Sequence, residues 1–179
     1  MYRPGFVPQA ETSAWFRALR ERGRWEAKRR VMYDREVDVP RLTAHYALPP
    51  EPEAPCAIAE AAERVIGATG VAFNAVGLNL YRDGRDSVAP HNDHLYEIVE
   101  GFPIVLLSLG ATRRMTIRPK EPKARAIHVD LEDGSLLEMS YAIQLHYTHG
   151  VPKTREPVGE RISLAFRVRP GERSGSAYR

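Results

Sequence analysis

After Gly70 the chain breaks into short apolar or alternating runs: Phe73 to Tyr81, Ile104 to Leu109, Thr112 to Arg118, Ala126 to Leu131, Ser135 to Met139 and Arg161 to Arg169. Segments this brief, rich in valine, isoleucine and aromatic residues, match half-buried strands whose side chains alternate between two faces. The intervening residues have turn chemistry. Asp83-Gly84, Gly110, Pro119 to Pro122 and Asp133-Gly134 supply the dihedral freedom or restriction that reverses a chain. An all-β core is therefore predicted for this half. Within Ala126 to Leu131, residues Ile127, Val129 and Leu131 are expected inward and His128 toward solvent.

The first seventy residues read differently. Glu11 to Arg22 predicts a helix capped by Thr12 or Ser13, with Trp15, Phe16 and Leu19 as its buried stripe and Gly23 as its end. Ala57 to Ile66 predicts a second, with Ile58, Ala62, Val65 and Ile66 inward, closed by Gly67. Between them, Val31 to Tyr46 predicts one or two edge strands broken by Pro40, followed by a stiff connector at Pro49, Pro50, Pro52 and Pro55. At 179 residues one core suffices, so residues 1–179 are expected to form a single domain. A composition of 43% hydrophobic and 27% charged residues excludes global disorder. No apolar run reaches the roughly 20 residues of a membrane helix, and the start has no signal-peptide order, so cytoplasmic residence without membrane association is expected. The single cysteine, Cys56, excludes an internal disulfide or a multi-cysteine metal site, so any metal must be held by histidine and carboxylate.

His91-Asn92-Asp93 meets that need. Residues two positions apart on an extended segment project from one face, so both side chains can reach one ion. A third donor lies far along the chain, at His149 in the loop-like stretch His146 to Pro152. Two histidines and one carboxylate form the facial triad that leaves coordination positions open on non-haem iron(II). A chelating keto acid would need cations for its carboxylates, and the planar fork of arginine suits them. In Arg161 to Arg167, Arg161, Ser163, Ala165 and Arg167 share one strand face while Ile162, Leu164 and Phe166 share the other.

From Phe73 to Arg167 the sequence resembles the AlkB family of iron(II) and 2-oxoglutarate dependent dioxygenases. Four blocks in order carry the resemblance: Asn79-Leu80-Tyr81 with Arg82-Asp83-Gly84; His91-Asn92-Asp93; Leu136 to Met139 running into Gln144 to Pro152; and Arg161 to Arg167. The separation of twelve positions from His149 to Arg161 is also similar, and by position it selects His149 over His146. The resemblance implies a mainly β fold, a double-stranded β-helix or jelly-roll core, with the N-terminal helices packed on one face. Residues 1–72 would hold the helices and a substrate lid, and residues 73–169 the catalytic core. It further implies Fe(II) on His91, Asp93 and His149, with 2-oxoglutarate as cosubstrate and O2 as oxidant. Asn79 and Arg167 would meet the keto-acid end of 2-oxoglutarate, and Tyr81, Ser163 and Arg161 its far carboxylate. Serine at 163 replaces the family's more frequent asparagine and still donates a hydrogen bond.

The implied activity is oxidative demethylation of alkylated DNA or RNA, as in base repair, by a monomer. Pro40 to Tyr46 is similar to the family's lid, and Arg41, Tyr46, His94 and Tyr96 are the expected substrate contacts. His94-Leu95-Tyr96 follows Asp93 where relatives carry acidic residues, and the proline connector leaves little room for an aromatic hairpin. Tyr46, Tyr96 or Trp25 would then have to stack a flipped base. Those departures favour, as an alternative, the same oxygenase chemistry on a protein or small-molecule substrate; a non-enzymatic β-barrel binding module is the other. The basic stretch of Arg20, Arg22, Arg24, Lys28, Arg29 and Arg30 is either a set of phosphate contacts or a solvated face. His94 and His146 are expected near the pocket rather than on the metal.

Overall fold

The structure, a computed structural model, describes residues 1–32, 35–121 and 124–171, and of 30–32 and 35–38 the backbone alone. Tyr33 and Asp34 of the predicted edge strands, Pro122 of the predicted turn and the side chain of Arg30 lie outside the described residues. Among the described residues eleven strands form two antiparallel sheets. The larger contains β1 (Tyr2–Arg3), β9 (Leu136–Met139), β6 (Ile104–Gly110), β11 (Arg161–Arg167), β4 (Ala75–Tyr81), β3 (Arg35–Ala47) and β2 (Glu26–Met32), in that spatial order. The smaller contains β5 (Val88–His91), β10 (Tyr147–Val151), β7 (Arg113–Pro119) and β8 (Ile127–Leu131). This is a jelly-roll, as expected.

Alternation along the strands divides the interior into two cores. From β11, Ile162, Leu164 and Phe166 join Leu78, Leu80, Leu107 and Leu109 in a core shared with helices α1 (Gln9–Arg22) and α2 (Cys56–Thr69). The helices cover that one face of the larger sheet with Trp15, Leu19, Ile58 and Val65. Each such side chain, fully buried, contributes about 1.5–3 kcal/mol. From the other face, Tyr81, Ala165 and Leu106 meet Met115, Ile117 and Val151 of the smaller sheet. Arg161, Ser163 and Arg167 share the period of Ala165, so the polar side of β11 lies on the face toward the smaller sheet.

Several element boundaries differ from expectation. α1 starts at Gln9 after Pro8, whose carbonyl accepts from the Glu11 and Thr12 amides. Thr12 is no cap: it lies inside the helix, its buried hydroxyl 2.7 Å from Asp133 Oδ2 and 3.0 Å from the Gln9 carbonyl, so it turns to these acceptors rather than to a free amide. α2 runs through Gly67 and stops at Gly70, which takes the left-handed conformation (φ 69°) that terminates a helix. β3 is no edge strand but lies between β2 and β4. It tolerates Pro40 because its pairing with β2 is irregular between Ala27 and Arg29, while the Pro40 carbonyl accepts from Ser87 at 2.8 Å. His128 is exposed as predicted, but Ile127 is 52% exposed, because β8 is the edge of the smaller sheet and this residue stands at its end. The stretch read as a loop around His149 is strand β10, and a short helix, α3 (Tyr141–His146), precedes it. No helix among the described residues is long and apolar enough to cross a membrane.

Candidate active site

β5 and β10 bring two remote stretches together. They run antiparallel with His91 paired to His149, and the imidazole centroids lie 4.5 Å apart at 50°. The strands can approach this closely because Gly150 follows His149: a Cβ there would stand 2.7 Å from the Val88 carbonyl oxygen. Beyond β5, Asp93 turns back so that its Oδ1 lies 3.7 Å from His91 Nε2. One donor atom from each of His91, Asp93 and His149 lies within 4.8 Å of the others.

Each donor is prepared by its neighbours. His91 Nδ1 is 3.0 Å from the Ala89 carbonyl, which can only accept, so Nδ1 carries a proton and Nε2 is the ring nitrogen turned toward Asp93. Asp93 accepts from Arg167 Nε at 2.7 Å, and its amide donates to Gln144 Oε1 at 2.9 Å. Burial alone would raise the Asp93 carboxyl, but Arg167 and the two imidazoles outweigh it, and the group sits below the ordinary carboxylate range. Burial first, then His91, pushes the His149 imidazole down to about 4. A neutral imidazole is what a metal takes.

A second group lies on the inner face of the larger sheet. Register places Tyr81 beside Arg161, and Ser163 between Asn79 and Ser108. Arg161 is 0% exposed, yet only its Nη2 has a hydrogen-bond partner, Ser108 Oγ at 2.8 Å, while Nε and Nη1 have none. A buried guanidinium with unmatched donors is costly by itself and suits an incoming carboxylate. Asn79 Oδ1 accepts from Arg41 Nε at 2.7 Å, which leaves its amide nitrogen to donate elsewhere. Beside Arg167 a cavity of about 470 Å³ opens, with His45, Asn74, Gly77 and Arg169 in its wall.

With both groups described, the likeness to known proteins can be set beside them. The model of the 2OG-Fe(II) oxygenase superfamily matches residues 1–167. This chain belongs to that family. The oxygenase is 33% identical over 112 residues to the DNA oxidative demethylase ALKBH2 of Homo sapiens, covering 59% of this chain and 43% of the relative. It is 32% identical over 186 residues to the alpha-ketoglutarate-dependent dioxygenase alkB homolog 3 of Bos taurus, covering 92% of this chain and 64% of that one. The chain thus spans about two fifths to two thirds of the length of these relatives. A solved structure, OsALKBH1, superposes with a TM-score of 0.62 over 93% of this chain and 96% of its own at 16% identity, which shows the shared fold. The AlkB resemblance read from the four blocks is borne out, and the donor set fits the iron(II), 2-oxoglutarate and O2 requirement of the family.

The residues expected at the substrate are dispersed. Arg41 is engaged with Asn79 and the Ser87 carbonyl. Tyr46 is 7% exposed in the helix-side core, its hydroxyl accepting from the Arg24 amide. Trp25 donates its indole N–H to the Leu19 carbonyl. Only Tyr96 of the three expected stacking residues is open, at 75% exposure, with its ring stacked on His94 at 5.1 Å and 16°. His146 stands at the end of α3, outside the donor group of the oxygenase. Of the basic stretch, Arg20 pairs with Glu160 and Arg24 with Glu51.

Sequence reasoning gave no separate role to Gln144, Ser108 and Arg113. Ser108 had a readable signal, as the polar residue in the otherwise apolar Ile104 to Leu109 run. The others had none, because their meaning depends on which strands become neighbours.

The depressed His149 makes the iron-free oxygenase acid-sensitive. Its pKa is about 4 folded against 6.5 unfolded, so the unfolded state binds the proton first as pH falls. Stability from this group is whole above pH 6.5 and drains away between pH 6.5 and about 4, a loss on the order of 3 kcal/mol. Urea midpoints of the iron-free protein at pH 7 and pH 5 measure it. In His149→Gln the difference between the two midpoints should shrink; an unchanged difference assigns the effect elsewhere.

Proposed function

We propose that this oxygenase is an Fe(II)/2-oxoglutarate dependent oxidative demethylase that repairs N-alkylated bases in DNA or RNA. The observation that carries the reading is the convergence of His91, Asp93 and His149 beside a buried Arg161 whose guanidinium has unmatched donors. His91, Asp93 and His149 would hold iron, which when bound with 2-oxoglutarate and O2 supplies the oxidation of a C–H bond. Arg167 orients the Asp93 carboxylate, and together with the Asn79 amide nitrogen it meets the keto-acid end of the cosubstrate. Tyr81, Ser163 and Arg161 hold the far carboxylate. Hydroxylation of an N-methyl group lets it leave as formaldehyde and restores the base.

In this reading residues 1–179 act as one domain: 1–72 contribute the helices and the lid with Arg41, and 73–169 the catalytic core. The protein works as a cytoplasmic monomer. His94 and Tyr96 present the surface nearest Asp93 in sequence to the substrate, and the basic stretch from Arg20 to Arg30 supplies phosphate contacts.

The test is a single-stranded oligonucleotide carrying 1-methyladenine or 3-methylcytosine, incubated with Fe(II), 2-oxoglutarate and air. Formaldehyde release with restored bases is expected, with binding that weakens as salt rises. Succinate formed while every methyl group stays in place would overturn the nucleic-acid substrate and keep the oxygenase. The withdrawal of Tyr46 and Trp25 into packing favours that second reading, a protein or small-molecule substrate.

A further inference from the structure

A second guanidinium lies buried beside the Arg161 group. Arg113 of β7 is 3% exposed. Its Nη1 donates to the Asp83 carbonyl at 3.0 Å, and its Nη2 to the carbonyls of Asp86 at 2.9 Å and Pro152 at 2.8 Å. These acceptors belong to two segments remote in sequence, the turn after β4 and the chain leaving β10. The side chain is therefore fixed by backbone, not by a carboxylate. The Asp86 carboxylate is bound to Arg82 instead.

Arg113 also leans on the ring that Arg161 uses. Its Cζ is 5.5 Å from the Tyr81 centroid and that of Arg161 is 5.2 Å from it, both within cation–π range. Tyr81 is itself the register partner of Arg161. Two buried cations thus share one ring, and neither hydrogen-bonds a side-chain carboxylate among the described residues. Burial works against both charges, and Arg113 adds like-charge repulsion at Arg161. A residue that served only to tie two turns together would need no such ring contact.

We propose that Arg113 is a positioning residue for the diacid cosubstrate: it immobilises the Tyr81 ring, which with Arg161 receives the far carboxylate. It acts through Tyr81 without touching the ligand. This rests on the cosubstrate reading above.

The experiment uses the whole protein without oxygen. 2-Oxoglutarate is titrated into the Fe(II) form and followed by the visible absorption of the chelate, with Fe(II) affinity and thermal melting measured separately. Arg113→Met should weaken 2-oxoglutarate binding by roughly tenfold or more while Fe(II) affinity stays within about twofold. Arg113→Lys, which keeps the charge but loses the fork, should recover part of the loss. In a Tyr81→Leu background, Arg113→Met should add little further weakening, because its route to the ligand is gone. Unchanged 2-oxoglutarate affinity in Arg113→Met, or its full loss repeated on top of Tyr81→Leu, overturns the proposal. If Arg113→Met does not fold, Arg113→Lys decides it: native 2-oxoglutarate affinity there overturns the fork's role. Wild-type protein that takes Fe(II) yet forms no chelate would instead sink the cosubstrate reading itself.

Discussion

Asp93→Ala should abolish the absorption that Fe(II) and 2-oxoglutarate produce together, and turnover should fall to background. The carboxylate is the anionic member of the donor set, and two neutral imidazoles alone hold a hard ferrous ion poorly. The same change strands Arg167, whose Nε donates to Asp93 Oδ2 at 2.7 Å in a largely buried pair. Leaving one partner of such a pair uncompensated costs about 1–3 kcal/mol, so melting should fall as well. Asp93→Asn separates the two consequences. The amide oxygen still accepts from Arg167, so stability should return toward wild type while iron affinity stays lost. A chelate signal that survives in Asp93→Ala would show that the carboxylate is not a ligand.

Arg161→Met should move two measurements in opposite directions. The native guanidinium is fully buried with one hydrogen bond and two unmatched nitrogens, so its removal relieves a desolvation cost. Methionine fills a similar length with apolar atoms, and the ligand-free protein should melt at the same temperature or higher. Affinity for 2-oxoglutarate should drop on the order of a hundredfold, since a desolvated charge pair across a binding interface is lost. Calorimetric melting and anaerobic titration on one preparation give both values. Should the variant melt several degrees lower and bind 2-oxoglutarate normally, Arg161 is a structural residue and the far carboxylate is held elsewhere.

What could be read in the linear chain was whatever depends on spacing within one segment. The even-numbered and odd-numbered residues of β11 separated onto an apolar and a polar face as the period of a strand requires. The helices were legible from their apolar stripes, but their ends were not. Thr12 found Asp133, a residue more than a hundred positions away, and gave up the capping role its type suggests. Gly67 lacks the left-handed conformation that stops a helix, and Gly70 has it. β5 and β10 lack the apolar alternation that marks the other strands, and β10 was read as a loop although it carries His149.

By itself the sequence determined the β-rich class and the donor types, and its ordered motifs pointed to the family, with the preference for His149 implied by that resemblance. Those follow from local period and from ordered motifs, which survive without knowledge of what touches what. Only the tertiary structure decided that Arg41 is spent on Asn79, that Tyr46 belongs to the core, and that Arg113 shares the Tyr81 ring with Arg161. Each of these joins strands far apart in the chain, and the energy of a buried charge or ring depends on the neighbours that the sheet register delivers to it.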